Sequence, residues 1–150
     1  MENRIFLAHA VKFEFETEEA YLKLAGFIRT TRGNHDVAEF FREMAGFCRL
    51  HGEAIMGRAD FDDSTDIHGV TTSWPNSHTE TPDMKGYENP LDLDGAMSLA
   101  LAAEKRGVAF YEEVSRTATD KQTRLLAEEF ATEERGHVLA LERFFGLKSY

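Results

Sequence analysis

Apolar residues recur along most of this chain at the spacing of one helical face, and one or two polar residues break each stripe. From about residue 4 to 31, Leu7, Val11, Glu14, Tyr21, Leu24 and Ile28 share a side, with Glu14 as the interruption. Gly33-Asn34 breaks this helix. A second helix is predicted from about 36 to 58, with Val37, Phe41, Met44, Cys48, His51 and Ile55 on one face. Cys48 and His51 interrupt it. A third, from about 93 to 117, turns Met97, Leu101, Glu104, Val108, Tyr111 and Val114 inward around Glu104. In the fourth, from about 120 to 145, Phe130, Glu134, His137, Leu141 and Phe144 align. Thr119 and Gln122 form a capping box for it and Gly146 stops it. The fold class is therefore all-α.

Residues 60 to 91 carry no sustained period. They hold Pro75, Pro82, Pro90 and the sole tryptophan, Trp74, among many Asp, Ser, Thr and Asn residues. A connection this long in a compact domain has a purpose, and in an antiparallel bundle that purpose is a crossover along the bundle's whole length. The expected architecture is a four-helix bundle of two helix pairs joined by this crossover, all within one domain over residues 1–150. The Asp60-Phe61-Asp62-Asp63 run reads as a solvated helix end.

Composition narrows the class. A chain of 150 residues with 42% hydrophobic side chains can bury one sizeable core. The formal net charge of −10 argues against an extended polyanion such as nucleic acid as partner. The N-terminal stretch is charged early, and nothing approaches the roughly 20 apolar residues of a membrane span, so no membrane partner and a cytoplasmic location are expected. Cys48 is the only cysteine, which excludes an internal disulfide and a Cys-x-x-Cys metal ribbon.

The interrupted stripes carry the chemistry. A carboxylate or imidazole facing a core must be paired, hydrogen-bonded or bound to metal, because a bare buried charge is very costly. The two halves of the chain also repeat each other. Glu14 precedes Tyr21 by 7 residues and Glu104 precedes Tyr111 by 7, so the first helices match at a spacing of 90. The segment Glu43 to His51 lies against Glu129 to His137 at a spacing of 86, which sets His51 against His137 and Cys48 against Glu134. A duplicated helix pair brings two copies of a site together around a pseudo-two-fold axis.

That arrangement resembles the rubrerythrin branch of the ferritin-like family, over nearly the whole chain. Members of that family place one Glu from each of two helices, and a Glu-x-x-His from each of the other two, inside a four-helix bundle. The resemblance implies that Glu14 and Glu104 are the single glutamates, that Glu134 and His137 form one Glu-x-x-His, and that His51 is the histidine of the other. It also implies that Tyr21 and Tyr111 lie near the carboxylates. Cys48 stands where the remaining ligand Glu is expected, and Gly107 where a further Glu is often found. Residues 1–150 hold too few cysteines for the rubredoxin module of many rubrerythrins, so the electron donor is expected to be a separate, unidentified molecule.

Three Glu and two His suit two divalent first-row ions, with positions left open for water or oxygen species. Two iron ions are the expected cofactor, with zinc or another divalent metal as the alternative. Cys48 is either a metal ligand or redox-active neighbour, which could tune the metal or be oxidised, or an inert core residue. The leading functional expectation is a non-haem diiron oxidoreductase of peroxidase or ferroxidase type, acting on peroxide or dioxygen with Cys48, Tyr21 and Tyr111 tuning it. The alternative is a non-catalytic metal binder for storage, delivery or redox sensing, and a third reading is a structural bundle that has lost its metal. His9, His35, His68 and His78 fall outside the repeat and are expected on the surface. By the same resemblance the chain is expected to form a homodimer or higher oligomer, and the length of residues 60–91 suggests helix exchange between copies. Light scattering that finds only monomer removes both expectations.

Overall fold

A computed structural model describes residues 2–31, 34–59 and 92–147. Four helices account for almost all of them: α1 (Glu2–Thr31), α2 (His35–Ala59), α3 (Leu93–Thr117) and α4 (Lys121–Leu147). The ends predicted from apolar spacing fall within two residues of these. The chain divides into two compact units, Met1–Thr81 holding α1 and α2, and Pro82–Tyr150 holding α3 and α4. The crossover expected over residues 60–91, with Trp74, His68, His78 and the Asp60–Asp63 run, lies outside the described residues.

In the first unit α1 and α2 pack antiparallel. Tyr21 stacks on Phe41 with ring centroids 5.7 Å apart, while further along Glu14 meets His51, so rising numbers on α1 face falling numbers on α2. Val37, Phe41, Met44, Cys48 and Ile55 are all buried, as the apolar spacing predicts. Gly52 lets the helices approach. A Cβ built there would lie 2.8 Å from Cε1 of the Phe15 ring, so a larger residue would push that ring aside. The side chain of Asn34 accepts a hydrogen bond from the Val37 N–H at 3.1 Å and caps α2.

The second unit repeats this plan with α3 against α4. Tyr111 meets Phe130 edge-on at 5.6 Å, and Arg135 bonds Glu112 at 2.7 Å. The buried face of α3 differs from the expected one. Met97, Leu101 and Val108 are only half-buried, whereas Ala96, Leu99, Ala100, Ala103, Gly107 and Phe110 are deep. Alanine and glycine add little to an apolar pattern, yet they occupy the places where helices come closest, so the true face is rotated toward them. On α4 it is Phe145, more than Phe144, that is buried.

The start of α4 also differs from the expected capping box. Asp120, not Thr119, is the cap: its Oδ2 accepts the Thr123 N–H at 2.9 Å and the Thr123 hydroxyl at 2.7 Å. The Thr119 carbonyl instead accepts from the Arg124 guanidinium. The bond from the Thr123 hydroxyl, then that from its backbone, hold the Asp120 carboxyl below its ordinary pKa. A carboxylate with a lowered folded-state pKa stabilises the fold above the unfolded value and loses that contribution as pH falls through the folded value. Asp120→Ala is therefore expected to lower the melting temperature at pH 7. The gap from wild type should close as pH falls below about 4, the ordinary carboxylate range. A gap that stays constant into acid would show that the charge has no part in the cap.

Candidate metal centre

In the second unit three donors converge. Glu104 comes from α3, and Glu134 and His137 come from α4 one helical turn apart. Both carboxylates are 1% exposed and the histidine side chain is 15% exposed. Nδ1 of His137 lies 3.5 Å from Oε2 of Glu104 and 3.5 Å from Oε2 of Glu134. One ligand atom from each of the three falls within 4.8 Å of the other two. Helical register produces this convergence: Glu134 and His137 follow Phe130 on the stripe that α4 turns inward, and α3 meets them with Glu104, which follows the small Ala100 and Ala103.

The first unit holds the related pair. Glu14 on α1 is fully buried, and its Oε1 lies 2.7 Å from Nδ1 of His51 on α2, so the imidazole N–H donates to the carboxylate. The other oxygen, Oε2, is buried with no hydrogen-bond partner among the described residues. Leaving a carboxylate oxygen unsatisfied costs free energy that a cation would recover. Cys48 is buried on the same face of α2 one turn before His51, but it does not belong to the grouped donors among the described residues.

These donors fit a divalent first-row ion. Carboxylate oxygen and imidazole nitrogen are the ligand types such ions accept. An ion that holds its ligands at about 2.1 Å sets neighbouring donors about 3.0 Å apart in an octahedron and about 3.4 Å apart in a tetrahedron. The 3.5 Å separations around His137 match that spacing. They are also too long for good hydrogen bonds.

Tyr21 and Tyr111 are both fully buried, each two turns beyond a buried glutamate, and their rings pack on Phe41 and Phe130 respectively. Besides Thr123, which the Asp120 cap engages, two polar residues were not anticipated inside. His9, expected on the surface, is 1% exposed. Around it Phe6, Leu7, Ala8, Ala10 and Val11 are buried too, so α1 is enclosed on every side at this level and the one-face pattern no longer locates its surface. His35 is exposed as expected. Thr17 is the second: it is 1% exposed, and its hydroxyl has no hydrogen-bond partner among the described residues. It lies one turn from Glu14 on the Glu14–Tyr21 face, and that spacing was the available signal. Replacing it with the similarly shaped valine removes a hydroxyl that costs about 1 kcal/mol or more to bury unbonded. Thr17→Val is thus expected to raise the melting temperature of the metal-free protein by about 2–4 °C. A fall of that size would show that the hydroxyl is bonded inside.

Among the described residues no helix is long and apolar enough to cross a membrane. The family model for rubrerythrin matches residues 6–145. A crystal structure of an uncharacterized conserved protein from Magnetospirillum magnetotacticum MS-1 is similar at 31% identity, covering 97% of this chain and 94% of that one, with a TM-score of 0.77. No functionally curated protein matches. The helices, their order and this likeness make the fold a ferritin-like four-helix one.

Proposed function

From the premise that the chain belongs to the rubrerythrin family, we propose that it is a non-haem diiron carboxylate protein that binds Fe(II) and reacts with peroxide or dioxygen, as a peroxidase or ferroxidase. The observation that carries this reading is the buried Glu104, Glu134 and His137 set, with Nδ1 of His137 3.5 Å from a carboxylate oxygen on each side. Bound iron would supply one-electron chemistry and a Lewis-acidic open position.

The protein's own residues define what that chemistry meets. Glu14 and His51 in one unit, and Glu104, Glu134 and His137 in the other, provide three carboxylates to balance ionic charge and two imidazoles to complete coordination. Their near-complete burial keeps bulk water away and strengthens each electrostatic contact. Tyr21 and Tyr111 are buried two helical turns beyond Glu14 and Glu104 on the same helices. Packing against Phe41 and Phe130 holds the two rings.

The test is metal analysis of protein purified without oxygen, followed by peroxide addition with and without a reductant. About two irons per chain, a ferric absorbance on oxidation, and many peroxide equivalents consumed per protein support the enzyme. Tight binding with one stoichiometric oxidation and no turnover would instead make it a storage, delivery or sensing protein. One zinc per chain and no response to peroxide would overturn the oxidoreductase reading.

A further inference from the structure

Thr17 is a buried polar group that the metal reading leaves unused. It is 1% exposed, and its hydroxyl makes no hydrogen bond among the described residues. A threonine inside a helix has a partner close at hand, the carbonyl one turn back. Thr30, Thr117 and Thr132 all take it, donating to the carbonyls of Gly26, Glu113 and Glu128 at 2.9, 2.8 and 3.0 Å. Those three are exposed and could have bonded water instead. Thr17 is enclosed and forgoes the bond. A buried group left open in this way calls for a ligand or a function.

Its place on α1 identifies the ligand's chemistry. Thr17 lies one turn beyond Glu14 and one turn before Tyr21, on the face that these two share. Side chains so spaced are neighbours, with Cβ atoms about 5–6 Å apart. Glu14 gives Oε1 to His51, but its Oε2 is buried without a hydrogen-bond partner among the described residues. The two open groups are complementary. A carboxylate oxygen takes a cation, while a threonine hydroxyl donates to an oxygen or nitrogen atom lying beside that cation. The sequence repeat adds one constraint. At the spacing of 90 that aligns Glu14 with Glu104 and Tyr21 with Tyr111, Thr17 falls on Gly107, which has no side chain, so only the first half supplies this donor.

We propose that Thr17 is a substrate-binding residue: its hydroxyl donates a hydrogen bond to the small ligand beside Glu14, water at rest and peroxide when it enters. This rests on the metal-binding reading above and adds to it a residue that selects ligands able to accept a hydrogen bond. The hydroxyl is then a cost in the metal-free protein and a contact in the loaded one, so its removal has opposite effects on the two.

The test is titration of the iron-loaded, oxidised, full-length protein with azide, a small anion that accepts hydrogen bonds, followed through its charge-transfer absorbance with ferric iron. Affinity is read per bound iron. Thr17→Val has nearly the same shape without the donor and is expected to weaken azide about five- to tenfold, the effect of losing one hydrogen bond. Thr17→Ser keeps the hydroxyl and should recover most of the affinity. The metal-free form of Thr17→Val should melt above metal-free wild type.

Equal azide affinity in wild type and Thr17→Val would overturn the proposal while leaving the iron reading intact. So would equally weak binding by both variants, because the threonine's shape and not its hydroxyl would then be the cause. A metal-free Thr17→Val that melts below metal-free wild type would overturn it too, since the hydroxyl would then be bonded within the protein. A wild type that takes up no iron would overturn both the proposal and the metal reading.

Discussion

Saturating Fe(II) without oxygen is expected to raise the melting temperature of this protein by about 8–16 °C, and Glu134→Gln to remove most of that gain. Glu14, Glu104 and Glu134 are each no more than 1% exposed, so the metal-free fold carries three carboxylates where charge is poorly solvated. A ligand that binds only the folded state, at a thousandfold above its Kd, stabilises by about 4 kcal/mol. For a chain of this size each kcal/mol moves the midpoint by about 2–4 °C. Glutamine keeps the shape of Glu134 and discards its charge. The metal-free variant should therefore melt above metal-free wild type, while the order reverses once iron is added. Differential scanning calorimetry with and without iron reads both. Equal iron-induced shifts in the two proteins would exclude Glu134 as a ligand.

Phe41→Ala is expected to cost about 3–5 kcal/mol, the range for deleting a buried aromatic ring, and so to lower the midpoint by roughly 6–20 °C. Phe41 is fully buried and stacks on Tyr21 with an interplanar angle of 18°. Its removal opens a cavity in the α1–α2 contact and takes away the surface on which Tyr21 stacks. Phe47, on the same helix but 55% exposed, is the control. Phe47→Ala should fall within about 0.5 kcal/mol of wild type. Similar losses at both positions would mean that α2 buries a different face from the one described here.

Much of the fold is legible in the amino-acid sequence. On α1 and α2 each inward apolar residue inferred from spacing is buried, because large side chains on a long amphipathic helix have only one place to go. On α3 the same reasoning picked a flank, since Ala100, Ala103 and Gly107 are small enough to be ignored in a pattern and small enough to sit where helices touch. The burial of His9 escapes the pattern for a related reason: spacing describes one covered face and cannot show that a second face of the same helix is also covered. The cap on α4 moved from Thr119 to Asp120 because both residue types cap well, and only the backbone decides which of two neighbours stands first outside the helix.

For the candidate site the division is similar. Glu14, His51, Glu104, Glu134 and His137 stand out as candidates in the sequence alone, because a chargeable residue inside an apolar stripe demands a partner and a duplicated spacing makes coincidence implausible. Tertiary structure decided how those donors stand within each helix pair: closed at 2.7 Å between Glu14 and His51, and open at 3.5 Å around His137. Periodicity reports which side of a helix a residue occupies. A difference of 0.8 Å between these two separations depends on side-chain rotamers and the approach of two helices, and those are settled only when the chain packs.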